Sequence, residues 1–227
     1  MRIICIIGKT ASSKDTVATS LMEYGIQPII SYTSREKRPT ETDGKEHFFV
    51  TSKKIREIVS DKSKLLGYMY NEKTGREYCA TIDGLDKDET YSYIINPEAF
   101  YEMAGRIKDP SIIFSVIYCD LDEDTIRKRA ISRGDNPECV DARIEEERFE
   151  FNNFKDLFFP FGMDARTRVD ENEPFDVMYR LDTSCGMETL KKRVHLLAMS
   201  MNLVKYTSDE LNSILGGEKY RGKVRSN

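Results

Sequence analysis

At 227 residues the chain is long enough for one hydrophobic core with a small inserted lobe, and its 39% hydrophobic and 33% charged residues are those of a soluble globular protein. A formal net charge of -4 argues against a nucleic-acid binder, whose footprint is a basic domain. No apolar run approaches the roughly eighteen residues of a membrane span, and the scattered cysteines, with only His47 and His195 beside them, argue against a zinc site and for a reducing cytoplasm.

The chain opens on Ile3 to Ile7, a continuous apolar run of the kind buried on both faces of a parallel sheet. The run is too short for a secretory signal, and no small-residue cleavage site follows it. A loop, Gly8 to Ser13, leads into a helix over Lys14 to Tyr24 with Val17, Leu21 and Met22 on one face, stopped by Gly25. A strand is expected over Pro28 to Tyr32, then a polar stretch with a short β segment at His47 to Val50 and an amphipathic helix around Ile55, Ile58 and Val59. Tyr91 to Ile95 reads as a strand ended by Asn96-Pro97, Glu98 to Ile107 as a helix, and Ile112 to Cys119 as the central strand. Charged helices over Asp122 to Ser132 and Val140 to Asn152 flank a loop. A strand over Phe175 to Leu181 and a helix over Met187 to Met201 close the pattern. Phe158-Phe159-Pro160-Phe161 reads as a local packing plug, and the basic tail after Gly216-Gly217 as loose. Strands alternating with helices imply a doubly wound α/β sheet.

The loop from Gly8 through Ala11, Ser12 and Ser13 to Lys14, Asp15 and Thr16 follows a strand and opens a helix, the context a phosphate-cradling loop requires. Such a loop turns backbone N–H groups toward one point, adds the positive end of a helix and brings a lysine to the β- and γ-phosphates. Ser13 stands where the motif wants a glycine and Asp15 where it wants Ser/Thr, so Thr16 is the candidate hydroxyl for a metal ion. The bland alternative is a capped helix after a buried strand.

The next segment, Ser31-Tyr32-Thr33-Ser34-Arg35 through Arg38, Glu41, Gly44 and His47 to Phe48-Phe49-Val50, is basic at a useful spacing. Two guanidinium forks, Arg35 and Arg38, suit a dianionic phosphate, although Arg-x-x-Arg alone is equally a solvated loop. With its serine, arginine pair, glutamate, glycine and Phe-Val end in register, the segment resembles the monophosphate-binding segment of guanylate kinases. The resemblance runs in register from about Ile3 to Asn152 and more loosely from Phe175 to the last helix.

The resemblance implies an α/β P-loop kinase: a parallel sheet flanked by helices, with an inserted nucleoside-monophosphate lobe and a helical lid. The core would be residues 1–33 and 91–202, the lid about 122–152, the lobe 34–90 and a tail 203–227. It implies transfer of phosphate from ATP, with Mg2+, to GMP or dGMP by a monomer or homodimer, with no nucleic-acid or membrane partner. Arg129 and Arg133 match the lid-entry helix and Arg143 a second lid arginine, which with Lys14 would be catalytic; salt-bridged surface helices are the alternative. Ser31, Arg35, Arg38, Glu41, His47, Tyr78, Thr81 and Asn96 match the acceptor site.

The chain also departs from the pattern. His47 replaces a tyrosine, Asn96 an aspartate and Ala80 a Ser/Thr for which Thr81 could substitute. Leu65-Leu66-Gly67-Tyr68 lacks the glutamate that reads guanine, so Glu72 or Glu77, in a loop from Tyr70 to Tyr78, is expected to read the base. These departures leave two alternatives: a kinase for another or modified nucleotide, or an inactive guanylate-kinase-like binding module.

Overall fold

In the computed structural model, the described residues are 1–203 other than 40, 46, 72–74, 161–162 and 169–174. A six-stranded sheet runs β2-β7-β1-β8-β10-β9, from Gln27–Pro28 (β2), Thr90–Ile94 (β7), Arg2–Ile7 (β1), Ile113–Asp120 (β8) and Val177–Asp182 (β10) to Ala165–Thr167 (β9). All neighbours are parallel except β9, which pairs antiparallel with β10.

The apolar run in β1 is central for the expected reason. Ile3, Cys5 and Ile7 pack into one core, beside Phe100 and Met103 of helix α3 (Pro97–Arg106) and Phe151, Phe154 and Phe158 of α5 (Pro137–Phe158). Ile4 and Ile6 face the other way, onto Val17 and Leu21 of α1 (Lys14–Leu21) and Leu190, Val194 and Leu197 of α6 (Met187–Ser200). The alternation of the pleat sends successive side chains into opposite cores, so the strand carries no polar face. The pair of helices α4 (Glu123–Ser132) and α5 has a core of its own, where Ile126 and Ala130 meet Val140 and Ile144.

A second sheet, ordered β4-β3-β6-β5, joins Phe48–Phe49 (β4), Tyr32–Thr33 (β3), Arg76–Thr81 (β6) and Leu65–Asn71 (β5), with α2 (Ser52–Ser60) against it through Ile55. Here two expectations are corrected. Pro28 to Tyr32 is not one strand: Gln27–Pro28 pairs with β7 and Tyr32–Thr33 with β4 and β6, so this stretch is the crossing between sheets. Tyr70 to Tyr78 is not a long loop either, because β5 and β6 form an antiparallel hairpin from Leu65↔Thr81 to Asn71↔Arg76.

Boundaries follow local chemistry. Gly25 takes φ 79, a left-handed conformation that stops the first helix. Asn96, Asp122 and Asn136 cap α3, α4 and α5 by accepting from backbone N–H groups of the first turn. Met22 lies on the exposed side rather than on the apolar face, whose buried members are Val17, Ala18 and Leu21. Phe158 and Phe159 are buried as the packing-plug reading expects, while Phe161 lies outside the described residues, as does the tail from 204.

Candidate active site

The loop after β1 closes tightly on itself. A Cβ on Gly8 would stand 2.6 Å from Ser12 Oγ and 2.8 Å from the Cys119 carbonyl oxygen, so the strand-to-loop corner admits no side chain. Ala11 (φ 53) and Ser13 (φ 66) are both left-handed. Ser13 thus holds the backbone conformation that a glycine takes without steric cost, at an expense of about 1–2 kcal/mol. Its hydroxyl lies 3.0 Å from Arg129 Nη1, which donates to it. Lys14, first residue of α1, folds back over the loop and donates from Nζ to the Gly8 and Lys9 carbonyls, each at 2.7 Å. Burial lowers its pKa from the usual lysine value, against the opposing pull of nearby groups that include the Glu147 and Asp15 carboxylates.

Two cavities meet at Lys14. One, of about 220 Å³, is lined by Ala11 to Thr16 with Arg129 and Arg133. The structure thereby gathers the predicted phosphate-loop residues other than Gly8 and two of the three arginines expected of a lid around one space. Arg129 also donates to the Thr183 and Cys185 carbonyls, whereas Arg133 is paired with Asp135 at 2.6 Å on the surface. The other cavity, of about 520 Å³, lies between the two sheets and α5. Gly8, Lys14 and Arg143 line it together with Ser31, Tyr78 and Asn96.

Neither member of the arginine pair lines this second cavity; Arg35 reaches its edge through Tyr78, which does. Arg35 is held bidentate by Glu41, at 2.7 and 2.6 Å, with both side chains nearly buried (6% and 11% exposed), and its guanidinium lies 5.3 Å from the centre of the Phe49 ring. Glu41 also accepts from the Arg38 backbone N–H, and its bond to Arg35 brings its pKa down to about 2. Glu41 therefore holds the arginines in place, while the Arg38 side chain stays 69% exposed. His47 Nδ1 lies 2.8 Å from Ser31 Oγ, and its ring meets the Tyr78 ring edge-on at 5.8 Å.

Other expected site residues fall elsewhere. Thr81 is buried at the end of β6, outside the lining of the large cavity. Glu77 is buried too: its carboxylate accepts from the Tyr68 hydroxyl at 3.1 Å and does not line the cavity. Glu72 lies outside the described residues. Asn96 lines the cavity but spends Oδ1 on the Ala99 N–H.

Sequence reasoning missed Glu147. One carboxylate oxygen accepts from the Thr10 backbone N–H at 2.7 Å, and the other from Arg143 Nε at 3.0 Å. The spacing of Arg143 and Glu147, one helical turn, was the available signal, but it reads equally as surface pairing. Lys9, also missed, is buried and bonded to Glu123 and Asn152.

For a divalent ion, the described residues contain no cluster of three or more His, Cys, Asp or Glu side chains suited to hold one. The donors at hand are the Thr16 hydroxyl and Asp15 carboxylate beside the smaller cavity. That set fits Mg2+, which is commonly held by one or two protein oxygens together with water and substrate phosphates.

No family model matches the chain. Among curated proteins it is similar to a guanylate kinase of Clostridioides difficile (strain 630), 25% identical over 177 residues, covering 75% of this chain and 84% of the relative. A guanylate kinase of Streptococcus agalactiae serotype III (strain NEM316) is 26% identical over 225 residues, covering 92% and 97%. The crystal structure of guanylate kinase from Anaplasma phagocytophilum shares the fold, with a TM-score of 0.53 at 17% identity over 96% of this chain and 97% of that one. In sequence the chain is thus similar to guanylate kinases at 25–26% identity, and it shares their P-loop kinase fold.

Proposed function

We propose that the chain transfers the terminal phosphoryl group of ATP to GMP or dGMP, yielding ADP and the nucleoside diphosphate. The observation that carries this reading is the position of Lys14, whose side chain borders both cavities. The smaller cavity receives the ATP phosphates against the loop amides, Lys14, Arg129 and Arg133. Mg2+ held near Thr16 and Asp15 would neutralise phosphate charge there. The larger cavity receives the monophosphate, with Arg35, Arg38, Ser31, His47 and Tyr78 around its phosphate and Glu41 orienting the arginines.

Phosphoryl transfer asks little covalent chemistry of the protein. It needs the two phosphates in line and positive charge where negative charge spreads over the equatorial oxygens. Lys14 lines both cavities and so would stand between donor and acceptor, and Arg143 of α5 lines the cavity assigned to the acceptor. Arginines of the lid exclude water that would otherwise hydrolyse ATP. The working divisions are a core of residues 1–33 and 91–202, a lobe of 34–90 and a lid of about 122–152. All five cysteines are free thiols, which suits a cytoplasmic setting, and no helix among the described residues is long and apolar enough to cross a membrane.

A coupled ADP-release assay over GMP, dGMP, AMP, CMP and UMP tests the reading. GMP or dGMP is expected to be the best acceptor. ADP release that no monophosphate stimulates would leave only a binding module, and a preference for AMP or a pyrimidine nucleotide would keep the kinase but overturn the guanine assignment.

A further inference from the structure

The wall of the large cavity formed by β5, β6 and β7 carries no carboxylate. Glu77 is turned beneath Tyr68, and the carboxylates that do line the space, Glu146, Glu147 and Glu150, all belong to α5. The wall carries instead Tyr93 of β7, which lines the cavity and whose hydroxyl makes no hydrogen bond among the described residues. Tyr93 is half-buried and faces the cavity, so its hydroxyl is free to meet a ligand there.

Gly67 explains how it comes to be there. Its backbone is not in the left-handed region, so no turn requires a glycine. What its missing side chain provides is room: a Cβ on Gly67 would stand 3.0 Å from the Tyr93 hydroxyl oxygen. Gly67 also sits at a register shift in the β5–β6 pairing. Burial raises the Tyr93 pKa, so the hydroxyl keeps its proton and is available as a donor.

We propose that Tyr93 is a specificity-determining residue of the acceptor site, its hydroxyl donating a hydrogen bond to the ring carbonyl of an oxopurine base, in space that Gly67 leaves open. The inference rests on the kinase reading above and narrows its substrate class. A carboxylate would accept from two N–H groups of guanine, including the exocyclic amine. A phenol donates once, to the carbonyl, and leaves that amine unread. The site therefore takes 6-oxopurine nucleotides as a class, hypoxanthine as well as guanine; a 6-aminopurine can only donate to the phenol oxygen, which leaves the phenol's own proton without an acceptor on the base, and is disfavoured.

The test is steady-state kinetics of the wild type and Tyr93→Phe with GMP, IMP and AMP at saturating ATP, folding being checked by thermal melting. The wild type is expected to use IMP within about tenfold of GMP. Tyr93→Phe is expected to raise KM for both by about fivefold to tenfold, the scale of one net hydrogen bond, while KM for AMP and for ATP stays put. An unchanged ratio of GMP to AMP efficiency in Tyr93→Phe overturns the assignment and leaves the kinase reading standing; a wild type that phosphorylates none of the three overturns both. Gly67→Ala supplies an independent arm, since its methyl presses on the hydroxyl. It is expected to raise KM for GMP in the wild type and much less in Tyr93→Phe, whereas strictly additive effects would contradict a shared site.

Discussion

Replacing Lys14 by Met removes the one cation among the described residues that borders both cavities. The structure separates two consequences. On stability, the ammonium gives up bonds to the Gly8 and Lys9 carbonyls, both at 2.7 Å. A hydrogen bond to a charged donor contributes about 1.5–3 kcal/mol net, but carbonyls beside cavities can take water, so the loss should not exceed about 3 kcal/mol. For a chain of this size that lowers the melting temperature by no more than about 12 °C, leaving a folded protein at 25 °C. On turnover, losing one preorganised charge at the transferring phosphoryl costs about 100- to 1000-fold in kcat. Melting curves and coupled ADP-release kinetics on one preparation read the two effects independently. A folded Lys14→Met variant with kcat within tenfold of the wild type would refute the placement of phosphoryl transfer at this lysine.

Three further outcomes follow from the geometry. Gly8→Ala forces its methyl against Ser12 and the Cys119 backbone, an overpacking worth about 1–3 kcal/mol; melting should fall by about 2–12 °C, and an unshifted curve would show that the corner has slack. Glu147→Gln keeps an acceptor for the Thr10 N–H but deletes a negative charge beside the phosphate loop, so calorimetry should find ATP bound about tenfold more tightly, and unchanged or weaker binding would contradict that picture. Glu41 has a folded-state pKa of about 2 against an ordinary 4.5, so the stability it contributes is present above pH 4.5 and is lost as pH falls toward 2. The gap in melting temperature between wild type and Glu41→Gln should therefore close over that interval, and a gap constant from pH 6 to 2 would remove the Arg35–Glu41 pair as its source.

The parts of the fold that the sequence made legible are those where one residue type has one physical reading. Ile3 to Ile7 read as a strand buried on both sides, Gly25 as a helix stop and Asn96-Pro97 as the end of a strand, and the structure has all three there, Asn96 also capping the helix that follows. The β5–β6 hairpin was not legible, because Tyr68, Met69 and Tyr70 are all substantially exposed and blur the alternation that marks a strand. Ile29 misled in the opposite sense: it is buried and bonds β7 through its N–H, yet it lies where the chain leaves one sheet for the other.

The site divides in the same way. Lys14 and the arginine pair could be proposed from their spacing and from phosphate chemistry, and Arg129, Arg133 and Arg143 from the resemblance to guanylate kinases. Glu147 and Tyr93 could not. The contact of Glu147 with Thr10 joins residues 137 apart, and Tyr93 passes for one more large residue in a half-buried strand until Gly67 is seen facing it.

The most direct test of the account is to follow ATP, GMP and Mg2+ with the protein by phosphorus NMR, which sees both products at once. The account requires ADP and GDP resonances to grow in equal amounts, with negligible inorganic phosphate. ADP rising with inorganic phosphate and no GDP, or ATP left unchanged, would contradict it.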